Sequence, residues 1–262
     1  MRILFIADIV GKPGRLAATA LIPRLRKERQ ADAVIANGEN LAGGYGVTPN
    51  LVSELLRAGV DVITSGNHIW DRREGLPLLE TEPRLLRPAN YPSGNPGSGC
   101  HLFDVGAQKL AVVNLQGRAF MSNIEDPFRT GRALVDELRA ETNNIVIDFH
   151  AEATAEKLAF AHYIDGLVSA LVGTHTHVPT ADERVLPGGT AYITDLGMTG
   201  SHAGVIGFRA GAAVQRQMLG RRVRLELADG DVRLQGAIVD VDEASGHAIS
   251  IERIDMPFLE ED

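Results

Sequence analysis

The chain has 262 residues, 44% hydrophobic and 23% charged, enough to bury a full core as one globular domain over residues 1–262. Its formal net charge of −8 argues against a general electrostatic grip on duplex nucleic acid, which depends on neutralising many phosphates; a small or single-stranded phosphate ligand stays open. Cys100 is the only cysteine, so an intrachain disulfide and a thiolate-rich metal cage are excluded, and a reducing cytoplasm is the expected location.

The opening MRILFIADIVG is apolar for too short a run to be a secretory leader and reads as a strand over Arg2–Ile9. No later stretch approaches the roughly 18 apolar residues of a membrane span. Gly11–Gly14 reads as a turn and Arg15–Gln30 as a helix, bent or rebuilt at Pro23. Ala33–Ala36 is the second strand. Thr48 stands where a cap belongs and Pro49 at the first helical position, opening a helix to about Ala58. Asp61–Thr64 is the third strand.

Leu102–Val105 and Lys109–Asn114 flank VGAQ and predict a hairpin, so the sheet arrangement is mixed. Ile145–Phe149 and Leu167–Val172 are buried strands around a helix that starts at Thr154 or Ala155. The tail predicts an antiparallel meander of Arg222–Leu227, Val232–Val241 and Ala248–Ile254, ending in a frayed acidic LEED. Its alternating apolar positions either complete the core or join subunits of a homo-oligomer. The basic runs Arg24–Arg29 and Arg221–Arg224 read as solvated faces. This distribution predicts an α/β fold in which two mixed sheets stack face to face with helices outside, a four-layer αββα sandwich.

The polar residues at the strand ends carry the chemistry. The successive strands end in Asp8, in Gly38-Glu39-Asn40, in Gly66-Asn67-His68, in Asp148-Phe149-His150 and in Gly173-Thr174-His175-Thr176-His177. In open α/β sheets the carboxyl ends of parallel strands gather along one edge, where loops form the ligand crevice. Three imidazoles, two carboxylates and one or two amides are nitrogen and oxygen donors that suit manganese, iron or zinc. Two ions about 3.5–4 Å apart would use them all, with Glu39 as the natural bridge. The glycines ahead of Glu39, Asn67 and His175 are expected to let the backbone turn sharply off the strand and approach the ions without a side chain in the way. His175 and His177 are expected to share one side of an extended segment. Any one of these residues alone is better explained as a hydrogen-bonded structural group, and Asp8 as a helix cap. Together, converging carboxylates without a lysine or arginine in the same turns require a cation. His101, His162 and His247 lack such company, and the role of His202 stays open.

The ordered set Asp8, GEN 38–40, GNH 66–68, His150 and GTHTH 173–177 resembles the motifs of the calcineurin-like metallophosphoesterases. The stretches NGENLAGGYGVT, GNHIWDRRE, RPANYP, DFHAEATAEK, GTHTHVPTAD and GTAYITDLGMTG are similar to the bacterial YmdB-type subgroup and spread across most of the chain. The resemblance implies a di-metal centre of iron or manganese and hydrolysis of phosphodiesters, notably 2′,3′-cyclic nucleotides, by a metal-bridging hydroxide. It implies that Asp8 and His177 hold the first metal, that Asn67, His150 and His175 hold the second, and that Glu39 bridges. Asn40 then completes the first metal or touches substrate, and His68 protonates the leaving oxygen, a role suited to an imidazole. Val10 stands where the wider family has a histidine, and Glu39 where it has aspartate; both departures occur in the YmdB-type subgroup. Arg72 and Arg73 are read as structural salt-bridging residues, and Trp70 as a packing residue or a base-stacking one. The alternative reading is a regulatory protein that binds a nucleotide through its metals, with turnover incidental.

Overall fold

The computed structural model describes residues 1–259, so most of the acidic end read as frayed lies outside the described residues. In chain order the first half holds β1 (Arg2–Ile6), β2 (Asp8–Ile9), α1 (Gly11–Glu28), β3 (Ala33–Asn37), α2 (Pro49–Arg57), β4 (Val62–Thr64), α3 (Leu76–Thr81), β5 (Cys100–Val105) and β6 (Gln108–Gln116). The second half holds α4 (Pro127–Leu138), β7 (Ile145–His150), α5 (Thr154–Tyr163), β8 (Ala170–Thr174), β9 (Arg184–Val185), β10 (Ala191–Ile193), β11 (Met198–Ser201), α6 (Ala210–Leu219), β12 (Val232–Val241) and β13 (Ala248–Pro257).

Among the described residues seven strands form one sheet, in the order β2-β11-β12-β1-β3-β4 with β13 on the free side of β12; six form the other, in the order β5-β6-β7-β8-β10-β9. Both are mixed: β1, β3 and β4 are parallel while β12 is antiparallel to β1, and β6, β7, β8 and β10 are parallel while β5 and β9 are antiparallel. Strand alternation explains the layers. On β1, Leu4 and Ile6 face Leu21, Ile22 and Leu25 of α1 and Leu55 of α2. The alternate residues Ile3 and Phe5 face the second sheet, meeting Leu110, Val112, Val146 and Val172. On that sheet's far side, Val113, Ile147 and Phe149 pack against Val135 of α4 and Phe160 of α5. Three apolar layers therefore separate four structural layers, and strands buried on both faces read as continuous apolar runs. The expected αββα sandwich is the observed fold. No helix among the described residues is long and apolar enough to cross a membrane.

Several boundaries differ from expectation. The first strand breaks at Ala7: β1 pairs with β3 and β12, whereas Asp8 and Ile9 pair in parallel with Met198 and Thr199 of β11. The break carries Asp8 beyond the main ladder. The predicted turn Gly11–Gly14 is the first turn of α1, where Pro13 loses no hydrogen bond. Gly14 is required there by contact, since a Cβ would lie 2.2 Å from the Thr199 carbonyl oxygen. Strand β8 starts at Ala170, three residues later than expected, and runs on to Thr174; Leu167 and Val168 are apolar because they pack against the α5 layer. Arg222–Leu227 forms no strand, with Leu227 making only an isolated bridge to Phe208, so the meander reduces to the β12–β13 hairpin. Its apolar residues complete the core, Ile254 joining the outer layer and Ile251 the layer between the sheets.

Candidate metal centre

The carboxyl ends of β3, β4, β7 and β8 open toward one place, and the break after β1 delivers Asp8 to it. His150, the last residue of β7 and fully buried, stands at the centre. Its Nε2 lies 3.2 Å from Glu39 Oε1, 3.2 Å from Asn67 Oδ1 and 3.0 Å from His175 Nδ1. Its Nδ1 lies 3.9 Å from Asp8 Oδ1, and His177 Nε2 lies 3.8 Å from the same oxygen. Glu39, His150 and His175 offer donor atoms within 4.8 Å of one another. All the expected donors are thus brought together, with Asn40 beside them on the wall of a cavity of about 370 Å³ that also exposes His68.

Two oxygens in this cluster, Asp8 Oδ1 and Asn40 Oδ1, are buried without a hydrogen-bond partner. Asn40 spends its amide hydrogen on the Gly44 carbonyl at 2.9 Å, leaving that oxygen free. Buried polar atoms are nearly always paired, so unpartnered oxygens amid imidazoles fit a site for a bound cation.

Electrostatics agrees. Burial, together with the nearby Glu39, Asp195 and Asp148, lifts the Asp8 carboxyl well above its usual value. Burial would raise Glu39 as well, but His150 and the His68 N–H donating at 3.0 Å outweigh it and hold Glu39 at about 2. Burial would likewise lower His150, yet Glu39, Asp8 and Asp148 raise it to about 9. Burial, then repulsion from His150, drops His175 to about 3, and burial lowers His177. Without a cation, one carboxyl and one imidazole are pushed out of the states that ligands adopt.

One glycine clears the site of a side chain. Gly66 is needed for space, because a Cβ there would lie 2.1 Å from His150 Cδ2 and 2.5 Å from Glu39 Oε2. His175 and His177 do not share a face of an extended segment. β8 ends at Thr174, and both histidines take positive φ, 101° and 63°. Such backbone costs about 1–3 kcal/mol per residue and persists only when the surroundings impose it. They do so through Lys157 and Asp195, both fully buried and 2.8 Å apart. Lys157 Nζ also donates to the Thr174 carbonyl at 2.8 Å, and the Thr176 N–H donates to Asp195 at 3.1 Å. A buried cation does therefore stand near the site, but it serves Asp195 rather than Asp8 or Glu39.

Asp148 lies beneath the cluster instead of in it. Its carboxylate accepts from Thr174 Oγ1 at 2.6 Å, from Asn37 Nδ2 at 3.0 Å and from the Thr64 hydroxyl. Having donated its one proton to Asp148, Thr174 Oγ1 presents a lone pair to His150 Nδ1, 2.9 Å away. That arrangement keeps a hydrogen on Nδ1 and aims the Nε2 lone pair at the other donors.

Sequence reasoning missed Tyr45, Glu152, Phe208 and Arg216, which also line the cavity. Glu152 Oε2 lies 3.1 Å from His175 Nε2, and the Tyr45 ring stacks on Phe208 and meets His68 edge-on. Tyr45 and Glu152 were within reach, since they sit in the stretches NGENLAGGYGVT and DFHAEATAEK; Phe208 and Arg216 come from a segment with no motif. Asp8 caps no helix, as the N-cap residue of α1 is Val10 and no side chain caps it. Arg72 binds the Tyr45 and Ala42 carbonyls at 3.1 and 2.7 Å, a structural role through backbone rather than a salt bridge. Trp70 packs on Tyr91 and the outer core. His202 lies outside the cavity lining and approaches the Met198 carbonyl at 3.2 Å.

A four-layer αββα fold that gathers carboxylate, amide and imidazole groups at its strand ends is that of a metallophosphoesterase. Within that class the chain belongs to the YmdB-like family, whose model, described as "YmdB-like protein", matches residues 4–254. It is 46% identical over 254 residues to the 2′,3′-cyclic-nucleotide 2′-phosphodiesterase of Bacillus subtilis, covering 97% of this chain and 96% of that one. A crystal structure of a hypothetical protein from Thermus thermophilus superposes with a TM-score of 0.93 at 41% identity, covering 98% of this chain and 99% of the other. A crystal structure described as a novel phosphatase, from Mycoplasma pneumoniae, gives 0.92 at 34% identity over 98% and 93%.

Proposed function

We propose that this chain is a two-metal phosphodiesterase of small phosphodiesters, 2′,3′-cyclic nucleotides foremost, with residues 1–262 as its one domain. The observation that carries the reading is the pair of unpartnered buried oxygens, on Asp8 and Asn40, amid converging imidazoles. The substrate class follows the Bacillus subtilis relative at 46% identity. Asp8, Asn40 and His177 would hold one ion and Asn67, His150 and His175 the second, with Glu39 available to both. The nitrogen and oxygen donors suit iron or manganese, with zinc next. Bound cations supply the positive charge that lets Asp8 and Glu39 ionise together, offsets charge on a phosphoryl group and acidifies water.

The chain's own residues do the rest. Gly66 lets His150 and Glu39 approach, and the Thr174 hydroxyl keeps the Nδ1 hydrogen of His150 in place. His68 Nδ1 is held by Asp71 Oδ2 at 2.7 Å, so its Nε2 is the nitrogen left to hand a proton to the departing ribose oxygen. The Glu39 bond to the His68 backbone fixes that ring relative to the metal ligands.

The test is turnover of 2′,3′-cyclic AMP and of bis-p-nitrophenyl phosphate with and without added Mn²⁺. Metal-dependent release supports the enzyme, whereas tight nucleotide binding without turnover points to a sensor. His68→Ala is expected to cut turnover of the cyclic nucleotide by about 10²–10⁴-fold with metal content unchanged. Unchanged turnover removes His68 from its assigned role.

A further inference from the structure

We infer that the substrate extends beyond a mononucleotide: the segment 203–225 forms a basic rim that binds the upstream phosphates of a single-stranded RNA ending in a 2′,3′-cyclic phosphate. The inference rests on the phosphodiesterase reading above. It starts from charge. Residues 203–225 contain five arginines, Arg209, Arg216, Arg221, Arg222 and Arg224, and no aspartate or glutamate. In a chain of net charge −8, that leaves everything outside the segment more acidic still. Arg209 pairs with Asp229 at 3.3 Å; among the described residues the other four stand in no ion pair and all four are exposed.

Position supplies the second observation. The segment leaves the first sheet after β11 and returns before β12, held to itself by the Arg209 N–H donating to the Glu226 carbonyl at 2.8 Å and by the Phe208–Leu227 bridge. Ile206, Phe208, Arg216 and Leu225 from this excursion line the metal cavity. Arg216 is near enough to the Tyr45 hydroxyl to act on its ionisation, and Arg224 directly precedes the cavity residue Leu225. Free positive charge therefore stands at the mouth of the site on Arg216, with Arg221, Arg222 and Arg224 following in the same excursion.

Chemistry selects the occupant. A cavity of about 370 Å³ is at the small end of ligand-sized sites, so whatever continues beyond a terminal nucleotide lies outside, across the arginines. A 2′,3′-cyclic phosphate requires a 2′-hydroxyl, which only RNA carries. The Tyr45 ring, backed by Phe208 at 5.6 Å, offers a stacking platform for the last base, and single-strand sites combine such platforms with basic tracks. A second copy is disfavoured, because a twofold interface would set this patch against itself. The reaction balances with water alone: its oxygen bonds to phosphorus, the P–O2′ bond breaks, O2′ takes a proton, and the RNA ends in a 3′-phosphate.

The experiment compares the Mn²⁺-loaded full chain on 2′,3′-cyclic AMP and on a ten-nucleotide RNA with a 2′,3′-cyclic end, across a salt series. The RNA is expected to have the higher kcat/KM and to lose it with salt at a log–log slope of about −0.7 per contacted phosphate, while the mononucleotide stays nearly flat. Arg221→Glu/Arg222→Glu/Arg224→Glu should lower kcat/KM on RNA about tenfold or more and reduce the salt slope by roughly 2, leaving the mononucleotide rate unchanged. The milder triple change to Gln guards against misfolding and should move RNA in the same direction. Equal rates on both substrates, or a triple variant that matches the parent on RNA, overturn the inference while the phosphodiesterase reading stands. So does loss of binding to phosphatidylglycerol vesicles in the triple variant with RNA turnover intact, which assigns the patch to a lipid surface. Turnover of neither substrate by the parent removes the phosphodiesterase reading and this inference together.

Discussion

His150 shows how much of the site is built from below. Its Nε2 faces Glu39, Asn67 and His175, while its Nδ1 rests on a hydroxyl whose only proton is committed to the buried Asp148. Removing that hydroxyl without changing side-chain shape isolates the effect. Thr174→Val should weaken metal affinity about 10–100-fold, as loss of outer-shell partners does, and Thr174→Ser should restore it. Metal titration of chelator-treated protein measures this directly, and equal affinities for all three proteins would show the hydroxyl idle. At this scale the sequence was informative about donors, since each stands at a strand end behind a recognisable motif. It was silent about the support, because Thr174, Asn37 and Asp148 meet only when β7 and β8 pair in one sheet and β3 of the other sheet stacks against them. The same holds for Phe208 and Arg216, whose place on the cavity wall depends on how the segment after β11 returns to it.

At the scale of elements, the loop after β8 holds two histidines in left-handed backbone and is fastened by the Lys157–Asp195 pair. Removing one member of a buried pair costs about 3–5 kcal/mol, because the other charge stays buried and alone. Lys157→Met should therefore lower stability by that order in denaturant unfolding, and adding Asp195→Leu should recover much of it. A loop that tolerates Lys157→Met without loss is not held by this pair.

A second anchor, Asp182, accepts from Thr180 Oγ1 at 2.6 Å and from the Thr194 N–H at 3.1 Å. Burial would raise its carboxyl, but these donors and Arg184 outweigh burial and hold it below the usual value of 3.8. A depressed folded-state pKa contributes stability that is present above the unfolded value and is lost as pH falls through the folded one. Asp182→Asn should thus cost about 1 kcal/mol near neutral pH and flatten the acid limb of the stability curve below pH about 4. An acid limb identical to the parent's would count against it.

Element legibility follows burial. β1, β3, β6 and β7, buried on both faces, were readable as apolar runs, and α2 from its Thr48–Pro49 opening. β8 was displaced because Leu167 and Val168 are apolar for packing rather than pairing. β2 was read only as the end of the first strand, and β9, β10 and β11 were unread because strands of two to four residues leave too little periodicity. Arg222–Leu227 alternates like a strand yet finds no neighbouring edge to pair with.

Across the whole molecule, two mixed sheets share one apolar layer and present their strand ends side by side, and the site exists only where those edges meet. Asp8, Glu39 and Asn67 come from the first sheet, and His150, His175 and His177 from the second. The layer count was readable because strand and helix patterns segregate along the chain; the insertion of β12 beside β1, which ties the tail to the first strand, was not, as pairing partners leave no mark on composition. The meeting of the sheets places two carboxylates and three imidazoles together at the inner wall of the cavity, and bound cations would offset that crowding. Elemental analysis of protein purified without chelators is the most direct test. The account predicts about two iron or manganese ions per chain, falling in Asp8→Asn and in Glu39→Gln. A chain that stays empty after incubation with Mn²⁺, Fe²⁺ and Zn²⁺, or one whose metal content ignores both substitutions, would contradict it.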